Sequence, residues 1–230
     1  MLMLILAVGF FLTIHLLVSG TPVRDALTAR IGQGAYMGLF SLASVAGLAW
    51  LIFAFTGAHG AAANEVLWSV TPITRWLQIV LQLAAMLLIV PGLATPNPTS
   101  VRQEATLQKV DVVKGMLRIT RHPFLWGVAL WAAGHLLVNG DIAGIVLFAA
   151  MLALALFGTV SIDTKRRRAL GKSWDAFAAQ TSNVPFAAIA AGRQQLSLGE
   201  IGWWRIALGI TVWAGLAWGH PYLFGVRALP

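Results

Sequence analysis

The sequence predicts an all-α, polytopic transmembrane bundle of about six helices, and three observations carry that reading. Hydrophobic residues make up 58% of the 230 residues and charged residues only 10%, against roughly one-quarter charged in soluble domains. The apolar residues are blocked into long uncharged runs, each near the ~20 residues a helix needs to cross a bilayer. The sixteen Lys and Arg residues fall mostly in alternate loops between those runs. A soluble domain of this length has no interior large enough for so much apolar surface.

The spans follow in order. Met1–Gly20 is the first, with His15 as its only titratable side chain. It lacks a positive n-region and an A-x-A site, so it reads as a retained helix rather than a secretory signal. Tyr36–Thr56 is the second span and Trp76–Ala94 the third. Pro123–Asn139 and Ile142–Ile162 follow, and Trp203–Gly219 is the last, with Arg205 in its first turn, where it can snorkel to the surface. Between the spans, Thr95–Arg121 opens with two prolines and becomes a mixed-charge segment. Ala169–Gln180 places Leu170, Trp174 and Phe177 at helical spacing behind a basic run, a pattern that suits a short cytoplasmic helix lying in the membrane interface. There is no 20–50-residue repeat, and residues 1–230 read as one domain.

Charge sets the expected orientation. Arg24 and Arg30 follow span one. Arg102, Lys109, Lys114, Arg118 and Arg121 follow span three, and Lys165 to Arg168, Lys172 and Arg193 follow span five. These thirteen of the sixteen basic residues lie in three alternate loops, so those loops should be cytoplasmic and both termini periplasmic. The net charge of +8 therefore reads as topology and contact with anionic lipid, not as a nucleic-acid surface. The chain has no cysteine, which excludes disulfides, thiolate metal sites and thiol nucleophiles.

The histidines carry the candidate chemistry. His15 and His135 lie inside apolar spans, where an ionisable group is costly and marks a candidate functional site. Gly127, Trp131 and His135 share a helix face at i, i+4 and i+8, a combination that suits a flat ligand. The other reading of each histidine is a hydrogen bond to a neighbouring helix. Counted at 1.5 Å per residue from the span ends, the two differ in depth by about 10 Å. Arg121-His122-Pro123 stands at the mouth of span four, where Pro starts the helix. Arg121 with the free N–H groups of that turn makes a candidate anion site, or else a positive-inside flank. His220 ends the last span, and His59 lies in a solvated loop. No carboxylate pair, Ser-His-Asp set, Gly-rich phosphate loop or H-E-x-x-H occurs.

Two stretches carry a family resemblance. Arg121-His122-Pro123-Phe124-Leu125-Trp126-Gly127, then Gly134-His135-Leu136-Leu137-Val138-Asn139-Gly140-Asp141, resemble the NnrU family. His15 followed by Ser19-Gly20 and Arg24, and the ending Gly219-His220-Pro221-Tyr222-Leu223-Phe224-Gly225-Val226, fit the same family. The resemblance implies a bacterial inner-membrane protein associated with nitrite and nitric oxide metabolism. It also implies kinship with the haem b protein 15-cis-zeta-carotene isomerase, in which case His15 and His135 match the proposed axial ligands. A wider similarity links Gly115, Arg118, Arg121, His122, Pro123 and Gly127, with Gly171, Trp174, Phe177, Thr181 and Pro185, to isoprenylcysteine carboxyl methyltransferases. The glutamate pair of those enzymes is missing, and only Asp163 stands nearby.

Three functions are thus expected in turn. The first is a haem-associated sensor or accessory factor for nitrogen-oxide metabolism, with His15, His135, Trp131, Gly127, Arg121 and His122 around the cofactor. The second is a haem-dependent cis–trans isomerase of a hydrophobic polyene entering from the bilayer. The third is S-adenosylmethionine-dependent methyl transfer at Arg118, Arg121 and His122.

Overall fold

The computed structural model describes residues 1–108 and 111–229, so Lys109, counted above among the basic loop residues, lies outside the described residues. All six expected spans are helical. The first is α1, Leu2–Leu12, which continues as a π-helical turn, Thr13–Val18. Helix α2 is Val23–Ile31, α3 is Gln33–His59 and α4 is Pro72–Leu93. After the one-turn α5, Met116–Ile119, come α6, Pro123–Val138, and α7, Ile142–Leu170. Helix α8 is Lys172–Gln180. Two short turns, α9 Ala187–Ala190 and α10 Leu198–Ile201, lead to α11, Trp203–Phe224.

Three of these, α3, α4 and α7, are long and apolar enough to cross a membrane. A fourth span results if Leu2–Val18 and Val23–Ile31 are taken as one broken span, for the two meet at 80°. The break falls at Ser19 to Pro22, where Pro22 removes a backbone donor. Gly20 lies so close to the preceding turn that a Cβ there would stand 2.1 Å from the Leu16 carbonyl oxygen. Helix α6 has only 16 residues, and α11 has the length but carries Arg205, His220 and four tryptophans. The chain is a membrane protein by composition and by these helices.

Local chemistry explains the helix starts. Thr71 caps α4 by accepting from the Thr74 N–H at 3.1 Å, and Thr74 returns the bond to the Thr71 N–H at 2.9 Å. Pro72 and Pro123 occupy first-turn positions, where a missing N–H costs nothing. Asp141 caps α7 through the Gly144 N–H at 2.9 Å.

Helix α6 packs between α4 and α7, α11 lies against α4, and α1 lies against α3 and α7. The α4–α6 seam is close because of glycine. A Cβ at Gly127 would meet Ile89 Cγ1 at 2.5 Å and the Ala85 carbonyl oxygen at 2.9 Å. Gly127 therefore serves helix approach, where the sequence suggested approach of a flat ligand.

Helix α8 departs from expectation. Trp174 is 0% and Phe177 3% exposed, packed with Val113 and Leu117. The apolar face assigned to the membrane interface is covered by the chain's own Leu107, Val112, Val113 and Leu117. Amphipathic spacing identifies an apolar face but not what covers it.

Candidate functional site

The imidazole of His135 sits in the last turn of α6, in an aromatic setting. Its ring centroid lies 4.9 Å from Trp131 and 4.9 Å from Phe148 of α7, stacked on the latter. Its Nδ1 is 2.9 Å from the Trp131 carbonyl oxygen. A carbonyl only accepts, so Nδ1 carries the proton and the neutral ring leaves Nε2 as a bare lone pair. The same carbonyl accepts from Gln82 Nε2 at 3.1 Å, and Gln82 also donates to Gln78 Oε1 at 3.1 Å. Two amides and an imidazole thus share the apolar α4–α6 seam. Gln78 and Gln82 were not singled out from sequence, although an amide in a membrane helix is itself a signal. Below the ring, the Asn139 side chain donates to the His135 carbonyl at 2.7 Å and closes the helix end.

His15 is built the same way at a different level. Its Nδ1 is 2.9 Å from the Phe11 carbonyl oxygen, and its ring lies 4.2 Å from Phe11 and 5.2 Å from Phe40. It falls within the π turn, marked by the Ser19 N–H donating to the Ile14 carbonyl at 2.9 Å; such turns interrupt α-helices frequently at functional sites.

The structure does not bring these two histidines together. His15 meets Phe40 on α3, whereas His135 reaches α3 through Phe148 to Phe55. Phe40 and Phe55 are fifteen residues apart, roughly 22 Å of helix. Along α7, Ser161 Oγ donates to the Gly20 carbonyl beside the inner end of α1, while His135 stacks on Phe148. Along α3 the offset is roughly 22 Å, and along α7 it is roughly 19 Å less the 7 Å from His15 to Gly20, so roughly 12 Å; both exceed the 10 Å read from span ends. The reason is that α1 breaks at Ser19, level with Lys165, which donates to the Ser19 carbonyl at 2.9 Å. His15 is therefore one turn from the basic end. One metal ion needs both nitrogens at about 2 Å. The donor chemistry fits iron at each histidine singly, since a ligating imidazole anchors its other nitrogen on a carbonyl.

At the basic end a second cluster surrounds His122. This ring is 2% exposed, and its Nε2 lies 2.6 Å from Asp163 Oδ1. Arg121 clasps the same carboxylate, its Nε at 3.0 Å from both oxygens and a terminal nitrogen at 2.5 Å. Asn183 joins them, donating to Thr159 Oγ1 at 3.0 Å and accepting from Trp126 Nε1 at 3.2 Å. Burial lowers the His122 pKa although Asp163 opposes it; the carboxylate only accepts, so Nε2 carries a proton toward it. Nδ1 is buried with no partner among the described residues, at a desolvation cost of about 1–3 kcal/mol. Asp163, read from sequence only as the remnant of an absent glutamate pair, is thus the centre of this cluster.

The anion site expected at Arg121 is occupied by Asp163. Arg118 is likewise held, donating to Glu200 at 2.7 and 2.9 Å and to Gln194 at 2.7 Å. Both arginines expected to face an anionic cofactor are thus paired with carboxylates of the chain itself. His59 is not simply solvated, because its Nδ1 lies 3.4 Å from Asp141. His220 does not end a helix either: α11 runs through Pro221 to Phe224, and His220 Nδ1 donates to the Val226 carbonyl at 2.8 Å.

A family model described as NnrU protein matches residues 3–228. The chain belongs to the NnrU family. Among curated proteins, this NnrU chain is 34% identical over 82 residues to the chloroplastic 15-cis-zeta-carotene isomerase of Zea mays, covering 36% of the chain and 22% of that protein. It is 35% identical, with the same coverage, to the corresponding isomerase of Arabidopsis thaliana. The chain spans about a fifth of the length of these relatives. No solved structure matches.

Proposed function

We propose that this NnrU-family chain is a haem-binding protein of the bacterial inner membrane, with both termini periplasmic, serving nitrite and nitric oxide metabolism as a sensor or accessory factor. One observation carries the reading: two intramembrane imidazoles each tie Nδ1–H to the carbonyl four residues back and leave Nε2 free. Haem b bound at either would supply an iron whose potential and gas affinity its axial imidazole tunes. His135, walled by Trp131 and Phe148, and His15, in its π turn, are the ligands proposed. The test is the absorption of detergent-purified protein, oxidised and dithionite-reduced. A Soret band erased by His135→Ala or by His15→Ala, and kept in His59→Ala, supports the proposal and identifies the ligand. Colourless protein that takes up no added haemin ends it.

The similarity to the two zeta-carotene isomerases favours a second reading, cis–trans isomerisation of a polyene that enters from the bilayer. Turnover of zeta-carotene in a host that accumulates it separates this enzyme from a sensor.

A further inference from the structure

At the basic end, away from His122, α2 and α7 form an open cleft of about 200 Å³ lined by Arg24, Asp25, Lys165, Arg168 and Ala169. That is several times the ~30 Å³ of a water molecule. The charges around it are unbalanced. Arg24 meets Asp25 only at 3.9 Å, and the Asp25 side chain is 69% exposed, so the carboxylate neutralises little. Arg166 is taken by Glu104, and Arg167 by Asp175 at 3.0 Å. Among the described residues, Lys165 donates only to the neutral Ser19 carbonyl, and Arg168 has no carboxylate partner.

The cavity's depth fits a lipid surface. Helix α2 leaves the α1 axis at 80°, so with α1 crossing the bilayer α2 lies nearly in the membrane plane. Its Arg24 extends over the ring of the buried Tyr36, 5.9 Å from the centroid, and is thereby fixed in direction. Lys165 and Arg168 follow the apolar run of α7 by one to two turns, at headgroup level. Basic pockets between membrane helices take phosphate headgroups.

We infer that Arg24, Lys165 and Arg168 form a binding site for a phosphate anion, carried by the headgroup of an anionic phospholipid in the leaflet beside α2. The site stands independently of the haem proposal. Its test is native mass spectrometry of the full chain in neutral detergent, titrated with phosphatidylglycerol, phosphatidylcholine or inorganic phosphate. Retention of phosphatidylglycerol over phosphatidylcholine is expected, falling about fivefold for each cation removed in Lys165→Gln and Arg168→Gln. Arg30→Gln and Lys172→Gln, equal in charge but off the cavity, should change it little. Lys165 is part-buried and its variant can misfold; Arg168 is exposed, so its variant keeps the test decisive. Binding of inorganic phosphate with the same variant pattern, and no preference among lipids, assigns the cavity to a soluble phosphate and overturns the headgroup source. Equal losses in all four variants show general charge attraction and overturn the site.

Discussion

Asp163 shows how much one carboxylate organises in this chain. It answers the charge of Arg121, fixes the tautomer of His122 and lies beside Asn183, so its neighbours lose their partner together if it is neutralised. Breaking a buried ion pair from one side costs about 3–5 kcal/mol. Asp163→Asn should lower the unfolding midpoint in detergent by several degrees, whereas Asp25→Asn, on an exposed pair, should leave it unchanged. His122 adds a pH dependence. Burial holds its folded pKa below the unfolded value of 6.5, so the unfolded chain binds the extra proton on acidification. Stability contributed by the neutral ring is therefore present above pH 6.5 and lost as the pH falls below it. Thermal unfolding at pH 7.5 and 5.5 should show this loss, and His122→Gln should reduce it.

Between helices, small residues do the work that large apolar ones do in soluble cores. Association in lipid gains nothing from burying Leu against Leu, so contact depends on close backbone approach. Gly127→Ala forces a methyl group against Ile89 and the Ala85 carbonyl and should cost about 1–3 kcal/mol. Gly38→Ala, with nothing within 4 Å, should be neutral or slightly stabilising; paired unfolding curves decide. Helix α8 makes the complementary point, since its large aromatics are buried in protein. Trp174→Ala should cost about 3–5 kcal/mol, and a Trp174 that merely touched lipid would show almost no loss.

The molecule has two unlike ends. At one, the segments after the third and fifth expected spans interlock through Arg121–Asp163, Arg166–Glu104 and Arg118–Glu200. At the other, Asn64 bridges to Asp141 and the Ala143 N–H, and the Gly140 carbonyl accepts from Leu67 N–H at 2.7 Å. Interlocking requires the two basic segments to lie on one side of the membrane, and the positive-inside tendency predicts that this side is cytoplasmic. Reporter fusions after Lys114 and Lys172 should report cytoplasm, and fusions at Ala62 and at the C-terminus periplasm. A cytoplasmic C-terminus would mean that one of the shorter helices, α6 or α11, does not cross.

Length, apolar runs and charge alternation determined that the chain is a membrane-embedded helical protein and where its six main helices lie, because both are properties of short contiguous windows. The arginine and histidine motifs were also legible, and with them the family. Sequence did not decide which helices are long enough to cross, the depth of His15 or the partners of Arg121 and Arg118. The break at Ser19 to Pro22 sets the depth of His15, and Asp163 and Glu200 meet their arginines from 42 and 82 residues away. Nor could periodicity tell that Gly127 faces a helix or that Trp174 packs with Val113 and Leu117. These depend on the relative height and rotation of packed helices, which only tertiary contacts fix. The two imidazoles share one local motif, a ring bonded four residues back. Their separation of roughly 12–22 Å along the helices comes from where α1 ends against α7, a fact of packing alone.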